Sequence, residues 1–297
     1  MDPDKEKPKK KRGRKPKKDK PTISKILITE ESNEEVKEED IDGYDSSFSI
    51  KTVQSGAMSN FFMSLKKYCE IITLNITSEG ITIVEPSPSF GGPVLIHSSL
   101  YHQNFEEYTV DKDIKLHINL DTFYNIIRYV KNNDDLTFQK NKSENFWSFI
   151  VYNSDNNTRN KYDINLIERE HVDLVIPPAY FDYEFNLSSV DYKDLFKKTK
   201  HIKADKIRIE AKDYSLKFIC KNPEVSGEIE FSGAECLAAS GQAEGEFPYK
   251  EIALSTHFTN VCNIFRIYIK NDYPLVIKCD VSMLGDIKLC FAPIITE

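Results

Sequence analysis

From Phe48 onward the apolar residues fall into two periods. Runs such as "FSIKTV", "GPVLIHSSLY" and "IKLHINL" alternate apolar and polar positions, which predicts strands with one buried face. "ITLNITSEGITIVEP" predicts two strands around a turn at Glu79-Gly80. "GAMSNFFMSLKKYCE" instead repeats Met58, Phe61, Phe62, Leu65 and Cys69 at helical spacing. "DTFYNIIRYVKNN" does the same with Phe123, Ile126, Ile127 and Val130, behind an N-cap at Asp121. "DLTFQK" and "FWSFIVYN" then predict a hairpin. A second series follows: the strand "FDYEFNL", and a helix "SSVDYKDLFKKTKHI" capped by Ser188 or Ser189 with Val190, Leu195, Phe196 and Thr199 inward. The strand pair "KIRIEAKDYSLKFICK" comes next, then a strand and a helix in "EIALSTHFTNVCNIF" with Phe258, Val261, Cys262 and Phe265 inward. "RIYIKNDYPLVIKCDV" and "GDIKLCFAPI" close the chain as strands.

The two series have the same order of elements. Aligning Leu65 with Phe196, Ile81 with Ser215 and Leu120 with Leu254 gives offsets of 131, 134 and 134 residues. The reading is an α+β duplication, each copy a sheet with two helices; a single irregular α+β domain is the alternative. The copies span residues 48–165 and 180–297, and residues 166–179 connect them. Pro177-Pro178 in that connector bars a helix and a central strand, so "DLVIPP" is expected to be extended.

Charge separates a further region. Residues 1–20 carry 11 basic and 4 acidic groups, although the whole chain has net charge −7. Residues 21–47 carry two basic and nine acidic groups. These 47 residues hold few large apolar groups and cannot offset the entropy of ordering, so a disordered arm is expected, basic and then acidic. The remaining body, about 250 residues, is long enough for one large domain or two ordinary ones. It has no apolar run of spanning length and the N-terminus lacks a secretory h-region, so the expected location is intracellular. On that basis the sequons at Asn75, Asn141, Asn156 and Asn186 are chance matches.

Little chemistry is visible. The six cysteines form no CxxC pair and lie in apolar surroundings, so core thiols are expected rather than a metal site. No P-loop, GxGxxG, HExxH or GxSxG occurs, and the six histidines are scattered. A binding or scaffolding role without catalysis or cofactor is the better reading. The predicted helices 57–71, 121–131, 189–201 and 255–266 carry net charges of +1, +1, +2 and +1, while the body as a whole is negative. If all four lie on one side, that side suits a polyanion. Taken alone, the counts describe solvated helix faces at least as well.

Three stretches resemble one family. "YPLVIKCDVSMLGDIKLCFAPI", "INLDTFYNIIRYVKNNDDLTF" and "YDINLIEREHVDLVIPP" are similar to parts of sliding clamps of the proliferating cell nuclear antigen type, the DNA polymerase processivity factors. The likeness runs in order from Phe48 to Glu297. Large DNA viruses encode divergent members, and the basic arm fits one. The resemblance implies a homotrimeric ring with helices lining a hole for double-stranded DNA, bound without sequence readout. It implies partners too: DNA polymerase, other proteins bearing PIP-box-like peptides, and a clamp loader. Lys66, Arg128, Lys197 and His201 match lining positions of the family, and Lys67, Lys131, Lys193, Lys198, Lys200 and Arg266 join them on the predicted helices. Ser59, Asn60 and Asn125 stand where the family carries lysines, and none appears near Asn263 and Ile264, so the lining is less basic than usual. The partner pocket would use Leu174 and Ile176 of the connector, Pro274, Cys290, Ala292 and Pro293. Cys290 replaces a tyrosine, and "EPSPSFGGPV" is a longer neighbouring segment than usual. Without the resemblance, Leu174 and Ile176 read as linker packing. Ring closure is expected from edge strands within Thr158–Leu166 and Val225–Phe231. Lys212 falls where the family is modified by ubiquitin.

The arm adds two short motifs. "PKKKR" resembles a nuclear-import signal and "RGRKP" an AT-hook core, together using Lys9, Lys10, Lys11, Arg12, Arg14, Lys15, Lys17 and Lys18. Import or nonspecific DNA tethering is the first reading of the arm, minor-groove reading the second and an inert solubilising tail the third; residence in a nucleus or a viral replication site is expected. Two alternatives stand beside the ring: a clamp relative that does not close on itself, and an arm-driven DNA- or chromatin-binding protein whose body is an interaction module.

Overall fold

The computed structural model describes residues 46–87, 94–170, 174 and 179–294. The cations named in the arm and Ile176 lie outside these residues, as do parts of "EPSPSFGGPV" and half of the connector.

Alternation and helical spacing become elements in the expected order. The first half runs β1 (Ser46–Thr52), α1 (Ser55–Leu65), β2 (Ile71–Thr77), β3 (Gly80–Ser87), β4 (Val94–Tyr101), β5 (Glu107–Val110), β6 (Ile114–Asn119), α2 (Leu120–Ile127), β7 (Asp134–Asn141), β8 (Phe146–Asn153) and β9 (Thr158–Asn165). The second runs β10 (Tyr183–Ser188), α3 (Ser189–Thr199), β11 (Lys206–Lys212), β12 (Ser215–Lys221), β13 (Ser226–Phe231), β14 (Glu235–Ala239), β15 (Gln242–Pro248), α4 (Tyr249–Leu254), β16 (Ile264–Ile269), β17 (Leu275–Val281) and β18 (Gly285–Phe291).

The pairing repeats as well as the order. In the first half β5-β1-β7-β8-β9 form one sheet and β4-β3-β2-β6 are hydrogen-bonded in sequence; in the second, β14-β10-β16-β17-β18 and β13-β12-β11-β15 do the same. Each half therefore divides its strands between two sheets rather than one. A single antiparallel seam joins the halves: β18 pairs with β4 from Gly285↔Leu100 to Phe291↔Val94, making a nine-stranded sheet. Gly285 makes this approach possible, because a Cβ there would lie 1.9 Å from the Ser99 carbonyl oxygen.

The helices differ from expectation in detail. α2 is capped by Asn119, whose side chain accepts from Thr122 N at 2.9 Å, while Asp121 sits in the first turn. Ser188 caps α3, accepting from Asp191 N at 3.1 Å. Val190 is exposed, and Tyr192 takes the inward place. The predicted fourth helix is displaced: α4 ends at Leu254, a 3-10 segment covers Ser255–Asn260, and Ile264–Ile269 is strand β16. The strict alternation of Phe265, Ile267 and Ile269 in the core is what a strand provides and a helix does not. As a result Leu65 matches Thr199, Ile81 matches Leu216 and Leu120 matches Tyr249 by burial and strand pairing, not the residues aligned from sequence.

The core is aromatic. Phe123 of α2 lies between Phe62, Phe138, Trp147 and Phe149, with ring centroids 5.0–6.3 Å apart. In the second half Tyr192 stacks on Phe265 at 4.1 Å. All six cysteines are free thiols; four are buried, and Cys236 and Cys290 are half-buried.

Candidate nucleic-acid face and partner cleft

The four helices form one row. Ser59 Oγ donates to Ile127 O at 3.0 Å, tying α1 to α2. Ser64 Oγ donates to His257 O at 3.1 Å, and Tyr68 OH to Glu251 O at 2.9 Å, tying the α1 side to α4 and the turn after it. Tyr192 of α3 shares a hydrogen bond with Ser255. The buried side chains of the strands pack under this row, and the alternate set points to the opposite sheet face.

The helix-borne cations are not equally free. Lys66 lies 2.6 Å from Asp121 Oδ1 and over the Tyr124 ring at 4.2 Å, so its charge is largely spent. Arg128 donates to Tyr129 OH at 2.6 Å but meets no carboxylate among the described residues. Lys67, Lys131, Lys193, Lys197, Lys198, Lys200 and His201 are exposed. Lys250 on α4 is exposed too, and the misplaced fourth helix hid it from sequence reading. By the match of α2 with α4 and of α1 with α3, it stands where Asp121 stands in the first half, and Lys200 where Lys66 does. The second half thus presents two cations where the first presents a neutralised pair. Arg266 does not belong to this face. It sits on β16 among the outward-pointing residues and makes a two-pronged ion pair with Asp280, at 3.0 and 3.1 Å. Ser59 is buried between α1 and α2, so it is not a lining position.

On the opposite face the central sheet carries a cleft of about 680 Å³. Leu174, Pro274 and Cys290 line it, as expected. Ala292 and Pro293 do not; they lead from β18 toward β15, where Ile294 N donates to Glu246 O at 2.8 Å. Sequence reading missed Val84, Leu95, Phe181, Tyr268, Tyr273 and Val276, which supply most of the apolar wall. For Val84, Leu95, Tyr268 and Val276 the signal was the half-exposed register of β3, β4, β16 and β17, interpretable only once the seam brought those strands together. Burial raises the Cys290 thiol to about 11, so it acts here as an apolar wall group. Arg169 fixes the start of the connector: it donates to Ile71 O and to the buried Glu85 carboxylate, each at 3.3 Å.

Among the described residues no three His, Cys, Asp or Glu side chains are placed to hold a metal ion, and no helix is long and apolar enough to cross a membrane. Lys212 ends β11, exposed beside the Asp213-Tyr214 turn, in which both residues have positive φ.

Residues 47–174 match the family described as "Proliferating cell nuclear antigen, N-terminal domain". Residues 47–174, somewhat under half of the chain, therefore carry a domain of the proliferating cell nuclear antigen family. The chain is 23% identical over 259 residues to the "Probable DNA polymerase sliding clamp 1" of Paramecium bursaria Chlorella virus 1, covering 84% of this chain and 97% of that protein. It is 22% identical over 249 residues to "DNA polymerase sliding clamp 3" of Sulfurisphaera tokodaii, covering 82% and 98%. The fold matches the crystal structure of the Entamoeba histolytica proliferating cell nuclear antigen with a TM-score of 0.78 at 19% identity, over 84% of this chain and all of that one. Members of that family are non-catalytic scaffolds in DNA replication and repair.

Proposed function

We propose that three copies of this chain close into a ring around double-stranded DNA and tether DNA polymerase and other replication and repair proteins to it. The β18–β4 seam carries the reading. By the repeat of pairing, β9 is the counterpart of β18 and β13 that of β4. β18 and β4 satisfy each other within the chain, whereas β9 and β13 are sheet edges with unpaired backbone groups. A second copy would supply to each edge what the seam supplies internally. Transferring the register, where Ile287 faces Ser98 and Lys288 faces His97, sets Asn160 opposite Ile229. The outward rungs then become Arg159 opposite Glu230 and Lys161 opposite Glu228, opposite charges at both places.

Six halves around a ring would turn the helix row inward. Lys67, Arg128, Lys131, Lys193, Lys197, Lys198, Lys200, His201 and Lys250 would then face phosphates, a sequence-independent attraction compatible with sliding. The relatives named as DNA polymerase sliding clamps support a polymerase partner, and the cleft fits a PIP-box-like peptide delivered by such a protein or by a clamp loader. The proposal also covers division at residues 166–179, residence in a nucleus or viral replication site, service of the arm in import or DNA tethering, and modification at Lys212. Light scattering on the full chain tests it. A particle near three times 34.3 kDa that stimulates polymerase on primed circular DNA is expected; a particle of one chain mass at every concentration would leave a clamp relative that does not close.

A further inference from the structure

The apolar wall of the cleft is interrupted at one corner. His97 of β4 lies across from Lys288 of β18, and Lys278 of β17 lies across from Lys288 on its other side. All three side chains line the cleft. Lys278 is paired with Asp286 at 3.2 Å, and that carboxylate also accepts from Tyr101 OH at 2.8 Å. His97 is held below its ordinary value by burial first and by Lys288 next, so it adds no charge at neutral pH. Lys288 is left with no acidic partner among the described residues. The corner therefore carries two ammonium groups and one carboxylate.

A purely apolar peptide is a poor occupant. Covering the cleft would strip water from the Lys288 ammonium and give it nothing in return. We propose that the segment docking here carries an Asp or Glu side chain beside its apolar anchor, and that this carboxylate pairs with Lys288 and accepts from His97. The inference rests on the reading of the cleft as the partner-peptide site. The anchor fills the wall made by Leu174, Tyr268, Tyr273 and Val276, and the carboxylate forms a charge-assisted bond at the corner. Selection follows: a basic residue in that place meets two lysines, and a neutral one leaves Lys288 desolvated.

The test uses the full chain and short fluorescent peptides with a two-aromatic anchor. Glu is moved in turn through the flanking positions, and a matched set carries Gln. At low salt, at least one Glu position should bind about tenfold tighter than its Gln counterpart by anisotropy. Lys288→Gln should abolish that preference and, with no ammonium left to desolvate, bind the Gln peptides at least as tightly as wild type, which shows that the cleft is intact. Lys288→Glu should reverse the preference toward Lys-bearing peptides. Peptides that bind wild type with equal affinity for Glu and Gln at every position would overturn the carboxylate inference and leave the cleft standing. Failure of every peptide to bind would overturn the cleft reading itself.

Discussion

The strand-to-strand charge ladder gives the most direct test of self-closure. Within one chain Glu228 and Glu230 already hold Lys217, at 2.9 and 3.9 Å, and Lys161 lies 3.3 Å from Asp163, so all these groups stand on the outward sheet face. Arg159→Glu with Lys161→Glu places like charges on both rungs. An exposed opposite-charge pair contributes about 0.2–1 kcal/mol and a like pair costs a similar amount, so two rungs change one seam by roughly 1–3 kcal/mol. That is about a fivefold to 150-fold loss in the affinity of one copy for the next. β9 is almost wholly exposed, so the monomer should keep its stability. Sedimentation velocity across a concentration series reads the assembly, and Trp147, buried and the single tryptophan, reads the fold by its emission. The double variant should dissociate at concentrations where wild type is assembled, and more salt should weaken wild type. Glu228→Lys with Glu230→Lys should do the same from the other side. All four reversals in one chain should restore assembly. If either double variant assembles like wild type regardless of salt, the transferred register is wrong.

Other outcomes follow from the same coordinates. Phe123→Ala removes the ring on which four aromatic neighbours rest and should cost about 3–5 kcal/mol in urea unfolding followed by circular dichroism. Gly285→Ala drives a Cβ into the β4 backbone and should lower the melting temperature, whereas the counterpart Thr158→Val on the free edge should not. His97 and His257 are both held low by burial first, with Lys288 and Lys67 adding to it. The unfolded chain then binds more protons than the folded one, so their contribution is complete above the ordinary histidine value and is lost as pH falls through it. Urea midpoints should drop between about pH 8 and about pH 5.5, and less so in a His97→Leu, His257→Leu chain. Lys193→Glu, Lys197→Glu and Lys200→Glu together should weaken DNA retention uniformly across sequences and reduce the salt slope by about one per lost phosphate contact; an unchanged slope would remove α3 from the DNA face.

The periodic parts of the chain were readable because burial imposes the period. Met58, Phe61, Phe62 and Leu65 repeat at helical spacing and are all core residues of α1, and the alternation of "IKLHINL" becomes Leu116 and Ile118 beneath the helices. The fourth helix was misplaced because "HFTNVCNIF" mixes both periods. Phe258, Val261, Cys262 and Phe265 are indeed buried, but through a 3-10 turn, a connection and a strand, so the correct inward residues were assigned to the wrong element and carried Arg266 to the wrong face. The cleft was half visible: Leu174, Pro274 and Cys290 came from likeness to a family, while Tyr268 and Val276 are merely the polar-side positions of strands until a neighbour gives them a partner.

The sequence alone determined the order of elements and the inward set of most helices and strands, because each of these is a local property of residue types. Tertiary structure decided the rest: that all four helices share one face, that β18 lies against β4, that β9 and β13 are left as sheet edges, and that Lys288 has no acidic partner among the described residues beside an apolar cleft. These depend on contacts between residues nearly two hundred positions apart, such as Leu100 with Gly285. Only the geometry of sheet pairing, set by burying both halves on one continuous core, chooses among the many pairings that the alternating pattern permits.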